Sequence, residues 1–221
     1  MIPEQEAAFW DAIEAFDKEG LLPHVMLIGS WAEYVYSFYF TTNFRPSLRT
    51  TDADFLYRNL QTPKGKIGIS GALKEKGFSY TENRLTGVGK FVKEGFLEIE
   101  FLVRVLGSGE RKYEKIPSIG VTAVGLREVN LLANYPLQMD CRGYTIIVPE
   151  PEAYIVQKLI INPMRETEEK REKDIRGVDA LLRHINGDRL RQIYDKLSKK
   201  DRKVVDAVCD SNAIMLKSTI Q

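Results

Sequence analysis

Cysteine is scarce in this chain: Cys141 and Cys209 are the only two in 221 residues, and they lie far apart. That spacing excludes a disulfide scaffold and a cysteine-type zinc site, and it fits a reduced, cytoplasmic setting. Long apolar runs are missing as well. No stretch approaches the roughly 18 residues needed to span a bilayer. The opening MIPEQEAAFWDAI is acidic and amphipathic, where a secretion signal would be basic and then apolar. No membrane partner is expected. An excess of one charge is also lacking. The 32 Lys and Arg offset 31 Asp and Glu, for a formal net charge of +1. Such a balance argues against a bulk polyanion binder and leaves room for a local basic pocket.

Several sequence signatures are absent. KGKIGIS and GVGK fall short of the full Gly-x-x-x-x-Gly-Lys-Ser/Thr phosphate loop, and no complete Gly-x-Gly-x-x-Gly occurs. No Gly-x-Ser-x-Gly turn supports a serine hydrolase. His24 and His184 have no partner at ligand spacing and read as structural.

What is present is ordinary globular material, 43% hydrophobic and 29% charged, enough for one large domain or two small ones. Residues 3–19 carry helical spacing with Pro3 at the start and Gly20 at the end. Residues 24–28 read as a short strand, after which Ser30 is placed to cap a helix through Trp31, Tyr34, Val35 and Phe38. The polar, Pro46-bearing stretch 41–51 reads as a loop, and DADFLY, 52–57, as a second strand. Residues 65–76 read as a helix closed by Gly77. Strand-like runs then begin at Phe78, Gly89 and Phe96, with a hairpin around CRGY, 141–144. From Pro149 onward the texture is helical and charged, through to Gln221. The cluster Tyr34, Tyr36, Phe38, Tyr39 and Phe40 reads as core, with one ring as an option for stacking on a base. The expected fold class is α+β: a mixed sheet flanked by helices over 1–148, followed by a helical part over 149–221.

Chemistry concentrates in three places. In DADFLY the side chains alternate, so Asp52 and Asp54 share one face while Ala53 and Phe55 enter the core. Two carboxylates about 7 Å apart along one strand repel unless a cation lies between them, and Mg²⁺ takes such oxygens. An exposed strand edge with two solvated aspartates is the alternative. FLEIEFLV puts Glu98 and Glu100 on one face of a later strand, and either supplies a third carboxylate if that strand lies beside DADFLY. Gly29, with no Cβ, lets a ligand approach the backbone, and the helix beginning at Ser30 presents free N–H groups that suit a phosphate.

LIGSWAEYVY followed by LRTTDADFLY resembles the signature of the nucleotidyltransferase superfamily that includes DNA polymerase beta. Its small prokaryotic stand-alone members are the most similar. REKDIRGVDALL, 171–182, is similar to the Arg-x-Lys-Asp element of the abortive-infection toxin nucleotidyltransferases. The resemblance implies that Gly29 and Ser30 hold the phosphates of a nucleoside triphosphate. It implies that Asp52, Asp54 and Glu100 bind two Mg²⁺ ions, with Glu100 preferred over Glu98 because it directly precedes Phe-Leu. Lys158 is expected either to reach the triphosphate or to be a solvated helix lysine, and Arg171 and Asp174 to brace the base of the site. The implied reaction moves a nucleoside monophosphate from an NTP to an acceptor hydroxyl of RNA, protein or a small molecule, releasing pyrophosphate. A toxin-like role on tRNA would bring an antitoxin partner. The long segment between Gly-Ser and the first aspartate, with Phe44, Arg45, Pro46 and Arg49, motivates the alternative: a non-catalytic nucleotide sensor or interaction module on the same fold.

Overall fold

A computed structural model describes residues 3–40, 44–46, 50–105, 113–214 and 216. Helix α1 (Pro3–Lys18) opens with Pro3 and acidic Glu4 and Glu6 and ends on Lys18, an order that suits the helix dipole. Strand β1 (Val25–Ile28), helix α2 (Ser30–Tyr39) and strand β2 (Asp52–Tyr57) follow. Helix α3 (Ile69–Glu75) precedes β3 (Ser79–Glu82), β4 (Gly89–Lys93) and β5 (Leu97–Arg104). Next come β6 (Tyr113–Ile116), β7 (Val121–Leu126), the short α4 (Asn130–Asn134), β8 (Pro136–Cys141) and β9 (Tyr144–Pro149). Four helices close the described chain: α5 (Pro151–Ile161), α6 (Glu168–Leu182), α7 (Gly187–Asp195) and α8 (Lys199–Ser211). Thr167, Asn186 and Ser198 cap the last three, each side chain accepting a backbone N–H one turn in.

The mixed sheet is built around β5. Strand β2 lies parallel along one side of it, with β1 antiparallel beyond. On the other side, β4 pairs antiparallel with the first half of β5, and β7 pairs parallel with the second half. This β2–β5 adjacency is the one the carboxylate argument required.

One sheet face feeds the main core. Ala53 and Phe55 from β2 meet Ile99 and Phe101 from β5, all essentially buried. Phe16 of α1 packs its ring on Phe55 and Phe101 at centroid distances of 4.9 and 5.9 Å. The opposite face is divided. Its first half is acidic, with Asp52 and Asp54 beside Glu98 and Glu100. Its second half is apolar: Leu56 and Leu102 join Met26, Ile28, Val129, Leu132 and Ile147 in a smaller cluster. Helix α5 is buried from Pro151 through Leu159, because α4, α6, α7 and α8 all pack around it.

Three expectations need correction. The helix expected over 65–76 begins only at Ile69. The Ile67 amide is taken by the Ser118 carbonyl at 2.8 Å and the Gly68 amide by the Glu19 carboxylate, which draws this stretch across to neighbouring segments. Ser30 does not cap α2; Gly29 occupies the cap position and Ser30 is the first helical residue. Of the aromatic cluster, Tyr34 and Tyr36 are buried, whereas Phe38 and Tyr39 are exposed. His184 packs against the rings of Phe40 and Phe44. Arg49 and the end of the helical tail at 217–221 lie outside the described residues. Strands β6 and β7 and helix α4 were not expected from the sequence pattern.

Candidate active site

Two parallel strands bring the acids together. In the β2–β5 register Asp52 stands opposite Glu98 and Asp54 opposite Glu100, so four carboxylates occupy one face. Lys90 of β4, which stands opposite Glu100, turns to Glu98 and forms an ion pair with it. Glu98 is thereby neutralised locally, and Glu100 is left facing Asp54. Burial, with the Glu100 and Asp52 charges, pushes Asp54 up to about 6. Burial likewise raises Glu100, against the pull of Lys90.

Gly29 closes this cluster from the β1 side. It adopts φ 69°, ψ −160°, a backbone region essentially confined to glycine. A Cβ placed there would stand 2.8 Å from the Asp54 Oδ2 atom. The missing side chain is therefore what lets the backbone turn lie directly on the carboxylate. The Gly29 carbonyl accepts a hydrogen bond from the Tyr154 hydroxyl at 3.1 Å, which also donates to Glu33 Oε1 at 2.8 Å. Helix α5 thus holds the turn.

Thr50 anchors the far end of the long segment that follows α2. Its hydroxyl shares a 3.1 Å hydrogen bond with the Ser30 hydroxyl, and its carbonyl accepts from Trp31 Nε1 at 3.0 Å and Gln5 Nε2 at 3.2 Å. The Glu98 amide donates to the Thr51 carbonyl at 2.8 Å. The chain between Gly-Ser and Asp-x-Asp therefore returns to a fixed point two residues before Asp52, whatever its length.

Basic groups line the opposite wall. Lys158 is buried rather than solvated, and its ammonium donates to Asp174 Oδ1 at 2.5 Å. Arg165 donates to the other Asp174 oxygen at 2.7 Å. Asp174 thus ties Lys158 and Arg165 together. Arg171 contributes less directly, by donating to the Arg165 carbonyl at 2.8 Å. Gly29, Asp54, Glu100, Tyr154, Lys158 and Arg165 all line one cavity of about 410 Å³, whose remaining lining is largely apolar. Asp52, Glu98 and Ser30 do not line it.

Sequence reasoning missed Tyr154, Thr50, Arg165 and Lys173. Lys173 is half-buried and makes no ion pair among the described residues; burial and Lys158 lower its pKa, while Glu33, Asp174 and Asp52 pull it upward. The Arg-x-Lys-Asp element contained it, and its position just before Asp174 was the available signal.

Cation binding can be tested on the donors themselves. Among the described residues, no three His, Cys, Asp or Glu side chains converge into a set that could hold a metal ion. The acids share a face without closing on a point. Their chemistry nevertheless fits a hard dication, since all the donors are carboxylate oxygens. Burial first, and then the Glu100 and Asp52 charges, raise the Asp54 carboxyl, while Lys158 and Arg165 pull it down.

Comparison with known proteins fixes the class. An antigenic nucleotidyltransferase-like protein from Paracoccidioides brasiliensis shares the fold with a TM-score of 0.58 at 13% identity, over 96% of this chain and 91% of that one. ANT(2")-Ia, crystallised in complex with adenylyl-2"-tobramycin, aligns at 0.49 and 11% identity over 94% of this chain and 98% of its own. The lincosamide antibiotic adenylyltransferase LnuA, lincomycin-bound, aligns at 0.44 and 14% identity over 80% and 97%. No curated protein matches by sequence. Residues 8–201 match the family model described as Nucleotidyltransferase, and the chain belongs to that family. It is a nucleotidyltransferase, and its general chemistry is transfer of a nucleoside monophosphate.

Proposed function

We propose that this chain transfers the nucleoside monophosphate of an NTP to an acceptor hydroxyl with the help of divalent cations held by Asp52, Asp54 and Glu100. One observation carries the reading: the parallel register that sets Asp54 against Glu100, directly beneath a glycine turn with no room for a side chain. Cations bound by these carboxylates would neutralise the triphosphate and the charge that builds on the attacking and leaving oxygens.

The chain's own groups do the positioning. The backbone N–H groups at the start of α2 face the phosphates, with Gly29 admitting them to the carboxylate edge. Lys173, half-buried and in no ion pair among the described residues, is the ammonium offered to the triphosphate. Lys158 and Arg165 supply positive field from the same wall while bound to Asp174. In the transfer, the acceptor oxygen bonds to the α-phosphorus and the bond to the bridging oxygen breaks. Diphosphate leaves with that electron pair, and the hydroxyl proton passes to Glu100. Glu98 is a poorer third acid because Lys90 occupies it.

A second reading, a nucleotide sensor without turnover, is favoured by two engaged groups: the Ser30 hydroxyl is held by Thr50 and the Lys158 ammonium by Asp174. One experiment separates the two. Each α-labelled NTP is incubated with the protein, Mg²⁺ and, in separate reactions, total RNA including tRNA, a protein lysate and a small-molecule extract. Transfer predicts label on one fraction with equimolar diphosphate, lost in Asp54→Asn. NTP binding without diphosphate in any reaction would establish the sensor.

A further inference from the structure

The acid face continues into apolar surface, and that continuity bears on the acceptor. Across the sheet the order is the Gly29 turn after β1, Asp54 on β2, Glu100 on β5 and Lys90 on β4, and one step further along β5 the neighbour becomes β7, from Leu102 on. If the triphosphate lies at the Gly29 end, in-line displacement puts the acceptor oxygen on the far side of the α-phosphorus, towards Glu100 and β7. There the cavity wall changes character. Leu102 of β5 stands beside Val124 of β7, and Leu126 follows on the same strand. Ile161 and Met164, from the end of α5 and the turn after it, form the facing wall. Val124, Leu126 and Ile161 are only half-buried, and Met164 is 62% exposed. Among the described residues, and apart from Arg165, which follows Met164 and is paired with Asp174, the charged side chain lining this end beyond Glu100 is Glu128.

We infer that the acceptor is a small molecule that presents its hydroxyl from an apolar body and carries no negative charge. This rests on the nucleotidyl-transfer reading. Three features point to it. A cavity of about 410 Å³ lies in the range that encloses small ligands. Its wall past Glu100 offers leucine, valine, isoleucine and methionine, which gain by covering apolar surface, and a flexible methionine adapts to irregular shapes. Glu128 at the rim, a carboxylate outside the set proposed to hold cations, disfavours a phosphodiester chain and tolerates a neutral or cationic body. A polynucleotide end would call for cations here, and the basic groups of the cavity, Lys158 and Arg165, are both paired with Asp174.

The test uses the whole chain with ¹³C-methyl methionine, the Met164 resonance being assigned with Met164→Leu. Octyl glucoside below its micellar concentration, glucose and a short oligouridylate are titrated separately, and Mg·NTP affinity is measured on the same samples by calorimetry. Octyl glucoside is expected to move the Met164 methyl, and glucose and oligouridylate to leave it in place. Leu126→Asp should weaken octyl glucoside binding roughly tenfold or more. Should Leu126→Asp fail to fold, Met164→Gln, at an exposed position, is expected to weaken it in the same direction. Equal shifts from glucose, a shift from oligouridylate, or no shift from octyl glucoside would overturn the inference. Loss of Mg·NTP binding alone would instead strike at the nucleotidyl-transfer reading, leaving the octyl glucoside result interpretable by itself.

Discussion

Replacing Gly29 with alanine separates a structural glycine from one that shapes a site. The backbone there, φ 69° and ψ −160°, lies in a region that costs a residue with a Cβ about 1–3 kcal/mol. The added methyl would also stand 2.8 Å from Asp54 Oδ2, closer than real Cβ contacts come, so the carboxylate must swing away. Gly120 is the control. It has φ +73° and nothing within 4 Å of where a Cβ would stand, so its alanine variant bears backbone strain alone, about 1–2 kcal/mol. Urea unfolding should show both variants destabilised, Gly29→Ala by as much as Gly120→Ala or more. Diphosphate release should fall only in Gly29→Ala, by roughly a hundredfold if the carboxylate moves on the order of 1 Å. A Gly29→Ala enzyme that turns over within about twofold of Gly120→Ala would refute the claim that this turn sets the carboxylate.

Other expectations concern charge and burial. Asp54→Asn should stabilise the cation-free protein at pH 7.5 by about 1–3 kcal/mol in urea melts. The native carboxyl titrates near 6 against an ordinary value of 3.8, so its ionisation costs stability as pH rises through that window. Below the ordinary value both forms are protonated and the gain should vanish; an equal gain at acid pH would contradict the assignment of its cause. Asp174→Ala strands the Lys158 ammonium, whose side chain is 10% exposed, beside the Arg165 guanidinium. It should cost about 3–5 kcal/mol by denaturant unfolding, and a loss under about 1 kcal/mol would show that the pair is effectively solvated. Tyr36→Phe removes a buried hydroxyl that donates to the Pro149 carbonyl at 2.7 Å, tying α2 to the end of β9. A cost of about 1–2 kcal/mol is expected, and no change would mean that water replaces the bond.

Local pattern made part of the site legible. Alternation in DADFLY places Asp52 and Asp54 on one face, and Gly-Ser before an apolar helix marks the tight turn that lies against Asp54. Pairing of β2 with β5 was not legible, because residues 58–96 separate them and a parallel ladder leaves no turn signal between its strands. The preference for Glu100 over Glu98 rested on its neighbours; the geometric distinction comes from Lys90, on a strand whose position only the fold supplies. Lys158 illustrates the same limit. Its helical spacing suits a surface lysine as well as a buried one, and only the docking of α6 brings Asp174 to it. Strand β7 escaped notice because its burial alternates for four residues and then stops at Gly125, leaving too short a pattern to separate from a loop.

The central claim is that carboxylates from β2 and β5 close on divalent cations beneath the Gly29 turn. Crystals grown with Mn²⁺ and an NTP whose α,β-bridging oxygen is replaced by methylene would show where the cation binds, by anomalous diffraction. The account predicts manganese within ligand distance of Asp52, Asp54 and Glu100, with the triphosphate against Gly29. Manganese bound elsewhere, with those three acids turned to solvent, would contradict it.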